Sequence, residues 1–144
     1  MSNRSVINGF RKMSRDFDKL DKSVVKVASQ VRNRIARRTR RGVDYQGSPG
    51  VKLNSKYATY KASKGRKPIR NMSFYGDMLN DMAVRKTQYG AKIYFPDAFQ
   101  RKKARIHTLG EGKQPKFEFF ELSTSDRNYI YDRISKEVEI ITKW

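Results

Sequence analysis

The chain has no cysteine, one histidine and only four prolines among its 144 residues. Without cysteine there is no disulfide framework, no thiolate metal site and no cysteine nucleophile. That usage fits folding in a reducing cytoplasm. With His107 alone, no histidine metal cluster can form, and the net charge hardly changes between about pH 5 and 8. No apolar run approaches the roughly 18 residues of a membrane span, so no membrane partner is expected. The opening MSNRSVINGFRKMS lacks the apolar core of a secretory signal. Phosphate-loop, dinucleotide-binding, HExxH and GxSxG patterns are all missing.

Acidic residues are also scarce, 14 against 33 basic ones, for a net charge of +19. The imbalance is polar along the chain. Residues 1–72 carry 20 bases and 4 acids, and Arg32–Arg70 alone carry 13 bases against the single acid Asp44. From Phe117 onward 6 acids outnumber 4 bases. Like charges at such density repel one another and call for an anionic partner. Nucleic acid or an acidic protein surface would serve. Charged residues reach 33%, above the usual share. Aromatics at 12% nevertheless argue against disorder. The length suits a single domain over 1–144, large enough for a true core.

Phe17, Leu20, Val24, Val27, Val31 and Ile35 recur at helical spacing, which predicts a long helix over 15–41. Ser14 is its expected N-cap, Asp16 and Asp18 lie in its first turn, and Gly42 stands at its C-terminal stop. Residues 1–13 are expected as a flexible arm. Residues 42–71 hold four glycines and two prolines, and read as a long basic loop with a short helix near Ser55–Ala62. Few apolar anchors (Tyr45, Val51, Leu53, Tyr57 and Tyr60) can order that loop before a neighbour arrives. FYGDMLNDM predicts a helical turn. Met82–Tyr89 and Ala91–Phe95 around Gly90 predict a hairpin. Residues 97–116 read as an exposed basic connection, and FEFFEL at 117–122 as a further strand. Ser123 or Ser125 is the expected cap, Ser123 with Asp126 having capping-box spacing, before Ile130, Ile134, Val138 and Ile141, which predict a helix over 125–143. The expected fold is α+β: a small antiparallel sheet, with the long N-terminal helix and the C-terminal helix packed on it, and a long basic loop between the first helix and the sheet.

Enzyme readings rest on His107 as a base beside Asp97 or Glu111, or on the pairs Asp77/Asp81 and Glu118/Glu121 over a metal. A half-buried loop histidine and solvated acids are the plainer readings. No catalytic residue, metal or cofactor is therefore expected. The basic runs IARRTRRG and KASKGRKPIR, the latter near Tyr57 and Tyr60, suit contacts to phosphate without sequence readout.

From Gly42 the stretch YQGSPGVKLNSKYATYKASKG, with Gly47, Gly50 and Leu53, is followed by Gly76-Asp77-Met78-Leu79. Then come Ala104, His107 and Gly110 in KARIHTLG, and Phe117 to Leu122 in KFEFFELS. In order and spacing these resemble the motifs of the Mu-like phage virion morphogenesis, or tail completion, proteins. Val51 replaces that family's aromatic residue, and Lys103 its tyrosine. The resemblance spans roughly residues 30–144. It implies a structural virion protein without catalysis, assembled in the bacterial host cytoplasm and forming a ring of identical subunits at the head–tail junction. Portal or adaptor and tail proteins would be its neighbours, and packaged double-stranded DNA would be touched without sequence specificity. In such a ring Arg37, Arg38, Arg40 and Arg41, on a rigid helix end, are expected at a subunit interface. Lys64, Arg66, Lys67 and Arg70, with Arg101, Lys102 and Lys103, are expected to face the DNA channel or a neighbour. The alternative is a free, sequence-nonspecific nucleic-acid-binding basic protein.

Overall fold

The computed structural model describes residues 3–143, with side chains from Ile7 onward. Its organising element is α1, Asn3–Arg40. At 1.5 Å per residue its 38 residues span about 57 Å. The helix starts twelve residues before the expected Arg15, so Ser14 is not its cap and residues 3–13 continue the helix. Residues 1 and 2 of that expected arm lie outside the described residues. The physical reason is continuity. Ile7, Phe10 and Met13 extend the apolar spacing, no proline intervenes, and one serine or glycine costs a helix only about 0.5–1 kcal/mol. At the other end Gly42, with φ +76, stops the helix as expected, and its N–H donates to the Thr39 carbonyl.

Val27, Val31, Ile35 and Ala36 of α1 are buried. They meet the hairpin β1 (Ala83–Thr87) and β2 (Gly90–Tyr94) and the helix α5 (Thr124–Thr142), so α1 has a partner on more than one side. The hairpin is antiparallel, in register from Ala83↔Tyr94 to Thr87↔Gly90, so its turn is Gln88–Tyr89 and Gly90 belongs to the strand. Val31, 1% exposed, contributes roughly 1.5–3 kcal/mol by its burial.

Four expectations need correction. First, the segment between the first helix and the sheet is not one long loop: it contains two short helices, α2 (Ser55–Ser63), N-capped by Asn54, where a short helix near Ser55–Ala62 was expected, and α3 (Asp77–Asp81), where a helical turn was. Second, the expected basic connection over 97–116 holds α4 (Ala98–Leu109). Asp97 caps its start by accepting from the Gln100 N–H, and Gly110 ends it in the left-handed region. Arginine and lysine are good helix formers, and the buried Ala104, with the hydrogen bonds of Arg101 to the Phe95 carbonyl and of the Phe117 N–H to the His107 carbonyl, anchors this helix without apolar periodicity.

Third, residues 117–122 form no strand. The carbonyls of Phe119 and Glu121 accept from the Arg38 guanidinium, and that of Glu118 accepts from the Tyr45 N–H. These backbone groups are thus engaged outside any ladder, while the Phe117 and Phe119 rings fill the core. Fourth, α5 packs mainly on α1 rather than on the sheet, and its Val138 is 39% exposed.

What locks α5 to α1 is a buried ion cluster. Asp126 is 1% exposed. One carboxylate oxygen accepts from Arg34 Nε at 2.8 Å and the other from Arg38 Nη1 at 2.7 Å. Asp126 also closes the capping box: it accepts from the Ser123 N–H, and its own N–H donates to the Ser123 hydroxyl. Tyr129 donates to Gln30 at 2.7 Å one turn further on. Burial pushes the Asp126 carboxyl up, but the hydrogen bonds from Arg34, Arg38 and Ser123 outweigh this and hold it below the usual carboxylate value.

Candidate functional site

The C-terminal end of α1 sorts its arginines by helix face. Arg38 turns inward to Asp126 and is 9% exposed. It is taken up by the fold and is removed from the exposed cluster in which it was expected. Arg37, Arg40 and Arg41 line an open cleft of about 540 Å³. Arg32 from the same helix and Lys67 from the segment after α2 complete it, and Leu79, Asn80 and Met82 are also part of its wall. Arg40 donates to the Asn80 side chain at 3.0 Å. No carboxylate lines this cleft, so its five cations face one another uncompensated.

The remaining basic candidates separate. Arg70 and Lys103 line a second cavity, of about 400 Å³, together with Lys61, His107 and Leu53. Lys64 lies over the Tyr60 ring, and Arg66 is exposed. Arg101 donates to the Phe95 carbonyl at 3.1 Å, and Lys102 is exposed. Of the seven residues expected to face DNA or a neighbour, only Lys67 joins the arginine cleft. Arg32 and Lys61 were not among the expected site residues, and no local spacing distinguishes them from their basic neighbours.

Several of the motif positions meet in space. A Cβ on Gly50 would lie 3.1 Å from the Phe117 ring, so glycine there allows a close approach. The Phe117 N–H donates to the His107 carbonyl at 2.8 Å. Gly110, with φ +70, lies so close to Lys116 that a Cβ would come within 3.0 Å of its backbone. Leu79, Ala104 and Phe117 are buried, and Leu122 is half-buried. Gly47, with φ +85, sits in the turn held by the Asp44 carboxylate, and Gly76, with φ +87, precedes α3.

Apart from Asp77, in the first turn of α3, the acids of the enzyme readings are engaged elsewhere. Glu111 pairs with Arg105, Glu118 with Lys116 and Glu121 with Arg127. Asp97 caps α4, and Asp81 accepts from the Asp97 N–H. Among the described residues no group of three His, Cys, Asp or Glu side chains is placed to hold a metal.

A different surface opens at the other end of α1. Ile7, Phe10, Met13 and Phe17 are 49%, 66%, 42% and 60% exposed, and their spacing puts them on one helix face. This apolar stripe runs on into the buried Val27, Val31 and Ile35, so one face is core at its C-terminal end and uncovered at its N-terminal end. Comparisons with protein-family models, curated proteins and solved structures find no match to this chain.

Proposed function

We infer that this protein is a structural component of a tailed-phage virion, a ring-forming subunit at the head–tail junction that completes or attaches the tail. The observation that carries the reading is the pairing of surfaces on α1. An acid-free arginine cleft lies at one end, and an uncovered apolar stripe at the other. The cleft asks for an anionic neighbour and the stripe for an apolar one, and a ring of identical subunits between other virion rings supplies both. The mild acidity of the chain after Phe117 suits head-to-tail contact with the basic middle of the next copy. The ordered motif resemblance adds the phage context.

A free nucleic-acid-binding protein would account for the cleft but not for the apolar stripe. Electron microscopy and native mass spectrometry of the purified chain separate the two readings. Closed rings or defined oligomers, abolished in Phe10→Glu with the fold retained, are the expected result. A monomer whose only partner is DNA, with affinity falling steeply in salt, would reject the virion reading and favour the alternative.

A further inference from the structure

The second cavity has the chemistry of a binding site in its own right. Separate pieces of chain build it: α2 supplies Tyr57 and Lys61, the segment after it Arg70 and Phe74, and α4 Lys103 and His107, with Met78 of α3 and Gln114 completing the wall. Lys61 is 3% exposed, unusual for a lysine. Its ammonium donates to the Ile69 carbonyl and to the Asn71 side chain, each at 2.9 Å. An ammonium has three donors, so one N–H is left without a protein acceptor among the described residues. His107 Nδ1 is buried and also has no hydrogen-bond partner there. No carboxylate lines the cavity.

Lys61, Arg70 and Lys103 thus bring three cations to the lining of one cavity with no carboxylate in it; Arg70 Nε donates to the Val51 carbonyl at 3.0 Å and the Lys103 ammonium lies over the Phe99 ring, and their other N–H groups are left for a ligand. Burial, then the nearby Arg70, push the Lys61 ammonium below its usual range. Burial, then Arg70 and Lys103, do the same to His107, so its ring is neutral at neutral pH and offers one N–H donor and one acceptor.

We propose that this cavity binds a phosphate monoester, its dianion held by Lys61, Arg70, Lys103 and His107 and its organic part lying against Tyr57 and Phe74. A dianion with three acceptor oxygens fits converging N–H donors better than a single carboxylate does. A free phosphate alone would leave most of the 400 Å³ unfilled, and the aromatic side of the cavity gives an attached group a surface to cover. The same chemistry is offered by a free nucleotide and by the phosphorylated end of a nucleic acid strand.

His107 is the only histidine in the chain, so its imidazole nitrogens give an unambiguous NMR signal. The probes are inorganic phosphate, adenosine 5′-monophosphate, and one short oligonucleotide with and without a 5′-phosphate, at constant ionic strength. The expected result is a saturable shift of the His107 signals, stronger for the monophosphate than for inorganic phosphate. Binding should raise the His107 pKa, because an anion placed among Lys61, Arg70 and Lys103 favours the imidazolium. If the phosphorylated oligonucleotide binds and its unphosphorylated twin does not, the source is a strand end; if only the mononucleotide binds, the source is a free nucleotide.

Lys61→Met removes two internal hydrogen bonds and so tests the fold as well. Arg70→Ala and Lys103→Glu, at less buried positions, are the decisive variants. Each should weaken binding roughly tenfold or more, while Lys136→Glu on the surface of α5, outside both clefts, should leave it unchanged. The proposal is overturned if no probe gives a saturable shift, if chloride gives the same shift, or if Arg70→Ala and Lys103→Glu bind like the parent.

Discussion

Replacing Asp126 by asparagine keeps the size of the side chain and removes its charge. The consequence follows from its two arginines. Arg38 is 9% exposed, and its Nε has no hydrogen-bond partner among the described residues. Its Nη2 donates to both the Phe119 and the Glu121 carbonyls, which are neutral, and only Nη1 reaches Asp126. Without the Asp126 charge, a buried guanidinium is left with no paired anion among the described residues. Breaking a buried pair in this way costs about 3–5 kcal/mol. Arg34, whose side chain is 34% exposed, adds less because water screens it. Against a total stability of roughly 5–15 kcal/mol, Asp126→Asn should remove about a fifth or more.

Urea unfolding followed by circular dichroism measures this change. The double variant Arg38→Met with Asp126→Asn should recover part of it, since the stranded charge goes with its partner. Acid gives an independent reading. The folded Asp126 carboxyl titrates below its unfolded value of about 3.8. Its stabilising effect is therefore complete above that value and disappears as pH falls through the lower folded one. The gap between parent and Asp126→Asn should be flat above pH 3.8 and close below it. A change under about 1 kcal/mol at neutral pH, the value of an exposed pair, would refute the assignment of this cluster as the α1–α5 lock.

Three further outcomes are expected. Val31→Asp buries an unpaired carboxylate and should abolish soluble folding, whereas Val138→Asp, at a position 39% exposed, should stay within about 0.5 kcal/mol of the parent in chemical denaturation. Gly110→Ala should cost about 2–4 kcal/mol, through its left-handed backbone and its close approach to Lys116, whereas Gly112→Ala, with φ +66 and open space around it, should cost only about 1–2 kcal/mol; thermal melts compare the two. Joint reversal of Arg37, Arg40 and Arg41 to glutamate should leave the fold intact and, if DNA occupies the cleft, lower the salt slope of DNA binding by roughly 1 for each phosphate no longer neutralised. An unchanged slope would assign the cleft to an acidic protein neighbour.

What could be read in advance was local. The C-terminal half of α1, its stop at Gly42, the hairpin and the Ser123–Asp126 cap all depend on residues a few positions apart, and the structure has them. Residues 117–122 look strand-like by their aromatics, yet the Phe119 and Glu121 carbonyls go to Arg38, 81 and 83 residues away in sequence. No periodicity could show that. The α4 helix was hidden because it has one buried side chain and a charged surface. The cationic character of the α1 terminus was legible from composition. The inward turn of Arg38 and the approach of Lys67 to Arg37, Arg40 and Arg41 were not, because both depend on which face of the helix meets α5 and which meets the segment after α2.

The Asp126 lock also sets an order of events during synthesis. Arg34 and Arg38 leave the ribosome early, and the residue that neutralises them follows 92 and 88 positions later. Until then a nascent chain carries a finished amphipathic helix with its apolar face bare and two arginines without their anion. Contacts of such long separation close slowly, and exposed apolar surface invites association meanwhile. The growing polypeptide is thus open to chaperones, or to finished sister copies, for most of its translation. A chain truncated just before Ser123 should stay in that receptive state.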